Sequence, residues 1–419
     1  RNFMVSACGA ASTLLAFNAA NAVAGRNGGF FDLPQQAAVD PDLALERLGA
    51  REFVFDVQGH FVGKNSAARR WRSTRARAGR SRLGNAEQFI KDIFLDSDTD
   101  MMVLSFIPSR RESELLTIQE ADETRRVIDR MESTKRLLIQ GRVNPNQDGD
   151  LEDMDELAEK WGVVAWKCYT QWGPDGRGFF LHEEDTGLRL IEKAHALGVK
   201  NICVHKGLPF GRRSYKHSLA TDIGVVARMF PDVNFFVYHS GFISGQSEGP
   251  YNPNRGEGVD ELIRSVKEND VPRNGNVYAE LGTTWRYLMR DPDSAAHVIG
   301  KLVKYIGENN VLYGSDCIWY GSPQDQIQAF RAFQISEALQ EKHGYAPITP
   351  KLRAQILGLN AAKPFNVDID EVLRRARRDA VGRRRAEYRV RPDPHFLTFG
   401  PKNRREFLAN LNARGGSPI

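Results

Sequence analysis

The stretch Asp56–Asn65, "DVQGHFVGKN", decides the fold. It closes the apolar run Phe53-Val-Phe-Asp-Val57, which reads as a buried first strand. In an open, doubly wound sheet this turn would carry the glycine-rich spacing that cradles a dinucleotide pyrophosphate, and it does not. Instead Asp56, Gln58 and His60 share a parity, so on an extended chain they project to one side. A carboxylate, an amide and an imidazole gathered at a strand end suit a polar rim.

Outward from this stretch, short β-rich runs alternate with helical patterns. Strands are expected at 52–58, 101–107, 136–143, 163–169, 201–207, 234–240, 276–282 and 311–317. Most are continuous apolar runs, as parallel strands covered on both faces should be. Helical spacing appears around 85–95, 113–133, 151–160, 184–198, 217–230, 258–269, 293–307 and 323–341. The pattern predicts an α/β fold, a (β/α)8 TIM barrel over 52–366. Flanking it are an N-terminal arm at 26–51 and, from 367 to 419, an Arg-rich helix (about 368–388) with an extended tail.

At 419 residues, with 41% apolar and 26% charged residues, the chain can bury a large core. The net charge of +5 is modest, but seven arginines lie between Lys64 and Arg82 and eight between Arg374 and Arg389. These runs read as a solvated loop and a solvated helix face. Without aromatic interleaving or a known module, no nucleic-acid partner is expected. Cys8, Cys168, Cys203 and Cys317 lack the paired spacing of a zinc ribbon or a disulfide framework. No apolar run is long enough for a transmembrane segment.

Residues 1–25, opening "RNFMVSACGAASTLLAFNAANA", have the look of a twin-arginine export signal. Periplasmic export is the expectation, with a cytoplasmic location as the alternative and an uncleaved or packed arm as a variant.

Chemistry in a barrel sits at the C-terminal strand ends. Ionisable groups there are Asp56 and His60 on the first strand, Lys167 on the fourth, His205 on the fifth and His239 on the sixth. Glu280 follows on the seventh and Asp316 on the eighth. Any one alone is explained by packing or local pairing. Together they are not, because buried charges are rare unless paired and cost several kcal/mol to desolvate. A divalent cation would compensate the carboxylates and accept the imidazole nitrogens.

With these residues in place, the sequence resembles the amidohydrolase superfamily over about 52–366. The resemblance is to the branch of metal-dependent hydrolases and of aminocarboxymuconate-semialdehyde and γ-resorcylate type decarboxylases. Its first-strand Asp-x-His-x-His reads here as Asp56-Val-Gln58-Gly-His60. Lys167 matches a lysine that some members carbamylate, His205 in "VHKG" and His239 in "YHSG" match the family's histidines, and Asp316 lies in "YGSD". Gly358-Leu-Asn360-Ala-Ala-Lys-Pro-Phe365 matches its closing motif. The departure is Gln58, a neutral amide where an imidazole is usual and a better donor to manganese or iron(II) than to zinc.

The resemblance implies one or two divalent metals (zinc, manganese or iron) held among His60, Gln58, Lys167, His205, His239, Glu280 and Asp316. The leading expectation is a hydrolase in which metal-bound water attacks an amide, ester or lactone carbonyl of a small, carboxylated substrate. Asp316 would take the water proton, His239 polarise the carbonyl and Lys167 hold the centre. Arg286 and the 64–82 loop would attract the substrate carboxylate, with Trp172, Trp285 and Trp319 as an aromatic wall. The alternative is a non-oxidative decarboxylase of an aromatic or unsaturated acid. Further alternatives are a non-catalytic subunit and an iron or manganese oxidation centre. A homo-oligomer, or assembly with a related barrel, is expected. The loop after the sixth strand, "SGFISGQSEGPYNPNRGEG", reads as a lid or a subunit contact.

Overall fold

The apolar runs assemble into one closed sheet. The computed structural model describes residues 2–49, 52–65, 67–70, 85–130, 135–211, 214–376 and 378–392. After a short β1 (Gly29–Phe31) come β2 (Phe55–Gly59), β3 (Met101–Leu104), β4 (Leu137–Arg142), β5 (Ala165–Tyr169), β6 (Asn201–His205), β7 (Asn234–Tyr238), β8 (Val277–Glu280) and β9 (Val311–Leu312). The last eight are parallel and neighbours in chain order. The first and last meet: Val57 N donates to Tyr313 O at 3.2 Å, Asp316 N to Gln58 O at 2.9 Å, and Gly59 bridges Cys317. The sheet is therefore a barrel.

Strand parity sorts the side chains. Trp166, Cys168, Val204 and Val237 face the helices. Val57, Ala165, Cys203, Phe236 and Tyr238 share the interior. Tyr238 spans that interior from β7, its hydroxyl donating to Val57 O on β2 at 2.6 Å and accepting from Gln140 on β4 at 2.5 Å. Phe236 and Tyr278 stack beneath it at 4.8 Å, with Phe365 against Phe236 and Phe55. Tyr238 thus closes the apolar interior and floors whatever lies above.

The export-signal expectation meets a docked helix. Helix α1 (Asn2–Val23) buries Ala7, Ala11, Leu14 and Phe17, one helical face, in the same core as Phe31, Trp285 and Phe330. Among the described residues no helix is long and apolar enough to cross a membrane. Asn18 bonds Phe31 in both directions, N–H to Oδ1 and Nδ2 to O, each at 2.8 Å. That holds β1 against β10 (Phe333–Ile335) in an antiparallel pair. The helix expected over 323–341 is accordingly divided into Gln324–Ala332, β10 and Glu337–His343. Phe333 and Ile335, alternately buried, have a strand partner that local spacing does not reveal. Asn18→Ala strands two backbone groups of Phe31, and a loss of about 1–3 kcal/mol is expected. Urea unfolding should show this as a lower midpoint at an unchanged m-value.

The C-terminal Arg-rich segment is two helices, Ile369–Ala376 and Ala380–Val390. Arg374, Arg375, Arg378, Arg383 and Arg384 are exposed, as expected of a solvated face, but two arginines turn to the barrel. Arg385 donates to Phe94 O at 2.7 Å and also to Thr99 O, and Arg389 pairs with Asp98 at 2.5 Å, all at the base of the barrel. Most of the 64–82 run and the tail from 393 lie outside the described residues. The loop after β7 is fixed to helix Pro292–Tyr305, where buried Lys301 pairs with Glu248 at 2.5 Å and Asp260 at 2.7 Å.

Candidate functional site

Above Tyr238, the strand ends bring most of the expected residues together. His60 on the turn after β2 directs Nδ1 to Ser105 O at 2.8 Å and Nε2 to Asp316 Oδ1 at 3.0 Å. Gln58 donates from Nε2 to the same Oδ1 at 3.1 Å and lies 3.4 Å from His60 Nε2. On the opposite side, His239 Nδ1 donates to Gly282 O at 2.7 Å, leaving Nε2 3.1 Å from His205 Nδ1. Lys167 Nζ, fully buried, rests 3.8 Å from the Tyr238 ring centroid and has no hydrogen-bond partner among the described residues.

A register shift between Asp56 and Gly59 ends the simple alternation of the first strand. Asp56 therefore serves the seam, accepting from Gln58 N at 3.1 Å and Ser315 N at 2.9 Å, while Gln58 and His60 face the centre. Two glycines make room for this packing. A Cβ at Gly314 would lie 1.7 Å from Glu280 Oε1, and one at Gly282 only 2.3 Å from Gln58 Oε1. His239, Ser240, Thr283 and Asp316 all adopt positive φ, between 52° and 69°. For non-glycine residues this is costly and requires restraint by the surroundings. Ser240 Oγ to Glu280 O at 2.7 Å and Thr284 Oγ1 to His239 O at 2.9 Å supply it.

Burial governs the electrostatics. Desolvation holds the His205 imidazole well below its ordinary value and brings His239 down to about 4, despite the Asp316 charge, so both rings are neutral at pH 7. Desolvation also lowers Lys167 to about 8 and raises Glu280 to about 8 and Asp56 to about 7. Asp316 goes the other way. Burial pushes it up, but the His60 hydrogen bond and charge, His239 and the Thr283 hydroxyl outweigh that and hold it below the usual carboxylate range.

Several expected roles do not match these positions. Arg286 is buried in an ion pair with Asp325, so its charge is already neutralised. Trp285 is a core residue, its indole N–H donating to Gln326 O at 2.8 Å between Phe330 and Phe333. Glu280 spends both oxygens on backbone donors, His239 N at 2.9 Å and Gly282 N at 2.6 Å, and so braces the strand ends. Trp172 is half-buried on the loop after β5. Trp319 does stand at the site, stacked on His60 at 5.4 Å. Unforeseen members are Thr283, whose hydroxyl bonds Asp316 Oδ2, and Tyr169 and Phe210, which flank His205 at 4.9 and 5.2 Å. Tyr169 ends an expected strand, where an aromatic signal was available, and Phe210 lies three residues past the end of another. Thr283 carried none.

The amidohydrolase family model matches residues 92–367, about two thirds of the chain. The chain belongs to the amidohydrolase family. No curated protein matches it. Among solved structures, this amidohydrolase is similar to 2,6-dihydroxybenzoate decarboxylase from Rhizobium at 16% identity, covering 75% of this chain and 99% of that one with a TM-score of 0.44. It is similar to 5-carboxyvanillate decarboxylase from Sphingomonas paucimobilis at 12% identity, 76% and 100% coverage and a TM-score of 0.47. A third, 4-oxalomesaconate hydratase from Rhodopseudomonas palustris, gives 16% identity, 77% and 98% coverage and 0.44.

Does the donor set of this amidohydrolase fit a divalent cation? Among the described residues no three His, Cys, Asp or Glu side chains are placed to share one ion, because the four candidates are drawn into two pairs. The chemistry of the pairs nevertheless fits. His60 and His239 each anchor Nδ1 on a carbonyl, which turns Nε2 inward, as outer-sphere partners of metal-binding imidazoles do. His205 Nε2 faces Leu208 O at 3.5 Å, and its Nδ1 faces His239 Nε2. A proton on His205 Nδ1 bridges the two rings at 3.1 Å, and a cation bound there would take its place.

Proposed function

We propose that the protein is a metal-dependent, non-oxidative decarboxylase of a small aromatic or unsaturated acid. The observation that carries this reading is the state of Asp316. Oδ1 is occupied by His60 and Gln58, and Oδ2 by Thr283. A hydrolase needs a free carboxylate oxygen at this position to take a proton from water, whereas decarboxylation needs a group that gives a proton to carbon. Lys167 is such a group. It keeps its proton at pH 7, yet at about 8 it is acid enough to donate it. Trp319, Tyr169 and Phe210 add flat apolar faces around the imidazoles.

His205 and His239 would hold the cation, with the Asp316 carboxylate as its counter-charge. When bound, it would polarise the oxygens of the substrate acid as a Lewis acid. The aromatic faces orient the substrate plane. The bond from carbon to the carboxylate breaks, carbon dioxide leaves with no change of oxidant, and the electron pair left on carbon takes the proton from Lys167 Nζ.

The test offers hydroxybenzoates and unsaturated dicarboxylates with Mn2+ in D2O. Expected are carbon dioxide release, one deuterium on the product carbon, and a rate that falls as pH rises through about 8. Lys167→Met should lose that limb of the profile along with turnover. Hydrolysis of amides, esters or lactones without carbon dioxide release would return the hydrolase reading and overturn this one.

A further inference from the structure

We propose that the Gln58 carboxamide is a resident occupant of the cation position on the first-strand side, so that this protein binds its divalent ion weakly and exchangeably. The inference rests on the ion of the proposed reaction but concerns how this particular chain holds it. The Gln58 nitrogen lies 3.1 Å from Asp316 Oδ1 and 3.4 Å from His60 Nε2. Asp316 selects that orientation, since the reverse would set a carbonyl oxygen against a carboxylate. His60 Nε2 shares that Oδ1 with the amide, at 3.0 Å, so this carboxylate oxygen is already met by two neighbours.

An ion bonded to Asp316 needs the same Oδ1 lone pairs that hold the amide. Amide and ion therefore exclude each other on this atom. Nor is the amide free to retreat. Gln58 is 1% exposed, and its Oε1 has no hydrogen-bond partner among the described residues. That oxygen lies beside Glu280, where the missing side chains of Gly282 and Gly314 provide the space it occupies. Between the facing nitrogens of His205 and His239, 3.1 Å apart, an ion has only a proton to displace. The ion then rests mainly on those two imidazoles, with the first-strand side closed to it by a neutral donor.

The test prepares full-length protein free of metal and titrates Mn2+ into the wild type, Gln58→His, Gln58→Glu and Gln58→Ala, following heat and the paramagnetic resonance of free Mn2+. The His and Glu variants supply a ligand where the wild type supplies a competitor, and each is expected to bind at least about 10-fold more tightly. Gln58→Ala, which only removes the competitor, should fall between. Gln58→Glu is nearly isosteric and keeps the comparison available if the His variant does not fold by circular dichroism. Wild-type affinity equal to or tighter than that of the folded variants would overturn the inference and leave the decarboxylase reading standing. Absence of Mn2+ binding in every protein would overturn both.

Discussion

Asp316→Asn is expected to lower turnover at least about 100-fold while the barrel stays folded. The side chain changes neither length nor shape, so packing is conserved. What changes is its hydrogen-bonding character. Asp316 accepts from three donors, His60, Gln58 and Thr283. An asparagine has one oxygen for them and turns an NH2 toward the remainder, leaving a buried donor facing a donor. It also removes the negative charge that a cation at the imidazoles would meet. Loss of a partner one step further from an ion already costs 10–100-fold, which sets the lower bound. Turnover within a few-fold of the wild type, measured on metal-loaded protein, would remove Asp316 from its assigned place. An unchanged thermal midpoint confirms that the loss is local.

The largest effect on stability is expected at the other end of the barrel. Asp379 meets buried Arg136 through two bonds, Nε–Oδ2 at 2.7 Å and Nη2–Oδ1 at 3.1 Å. It also caps helix Ala380–Val390 by accepting from Gly382 N at 2.6 Å. Asp379→Ala leaves a guanidinium, 1% exposed, with only the looser Asp100 carboxylate at 3.9 Å as counter-charge. Breaking one side of a buried pair costs roughly 3–5 kcal/mol, and loss of the cap about 1 kcal/mol more. Urea denaturation should resolve this readily, and a loss below about 1 kcal/mol would refute it. Asp379→Asn separates the contributions, since it retains an oxygen for the cap and gives up the charge.

Much of this architecture is legible in the chain because its causes are local. Most barrel strands are continuous apolar runs, and six of the eight strand ends carry an ionisable residue. His60, His205, His239, Lys167 and Asp316 could thus be assigned to one rim before their contacts were known. What could not be read depends on pairings across long separations. Arg286 looks like a free cation until Asp325, 39 residues on, is seen against it. Trp285 looks like a rim aromatic because nothing nearby announces Phe330 and Phe333. The split of the last barrel helix is imposed by Phe31, from the opposite end of the chain. The role of α1 was hidden by composition. Its Ala-rich, weakly apolar sequence suits an export signal and a tightly docked helix equally well. Arg385 and Arg389 looked solvated because their acceptors, Asp98 and the carbonyls of Phe94 and Thr99, lie nearly 300 residues earlier.

Tyr238 has one more consequence. It stands next to His239 in the chain, and its hydroxyl grips Val57, next to Gln58. The two halves of the rim are thus measured off by a single phenol, with its ring as the ruler. Phenylalanine at this position would keep the filling and lose the grip, so the rim could breathe. Evolution could then vary the loops that choose a substrate without changing the gauge of the cup, as long as that one tyrosine is kept.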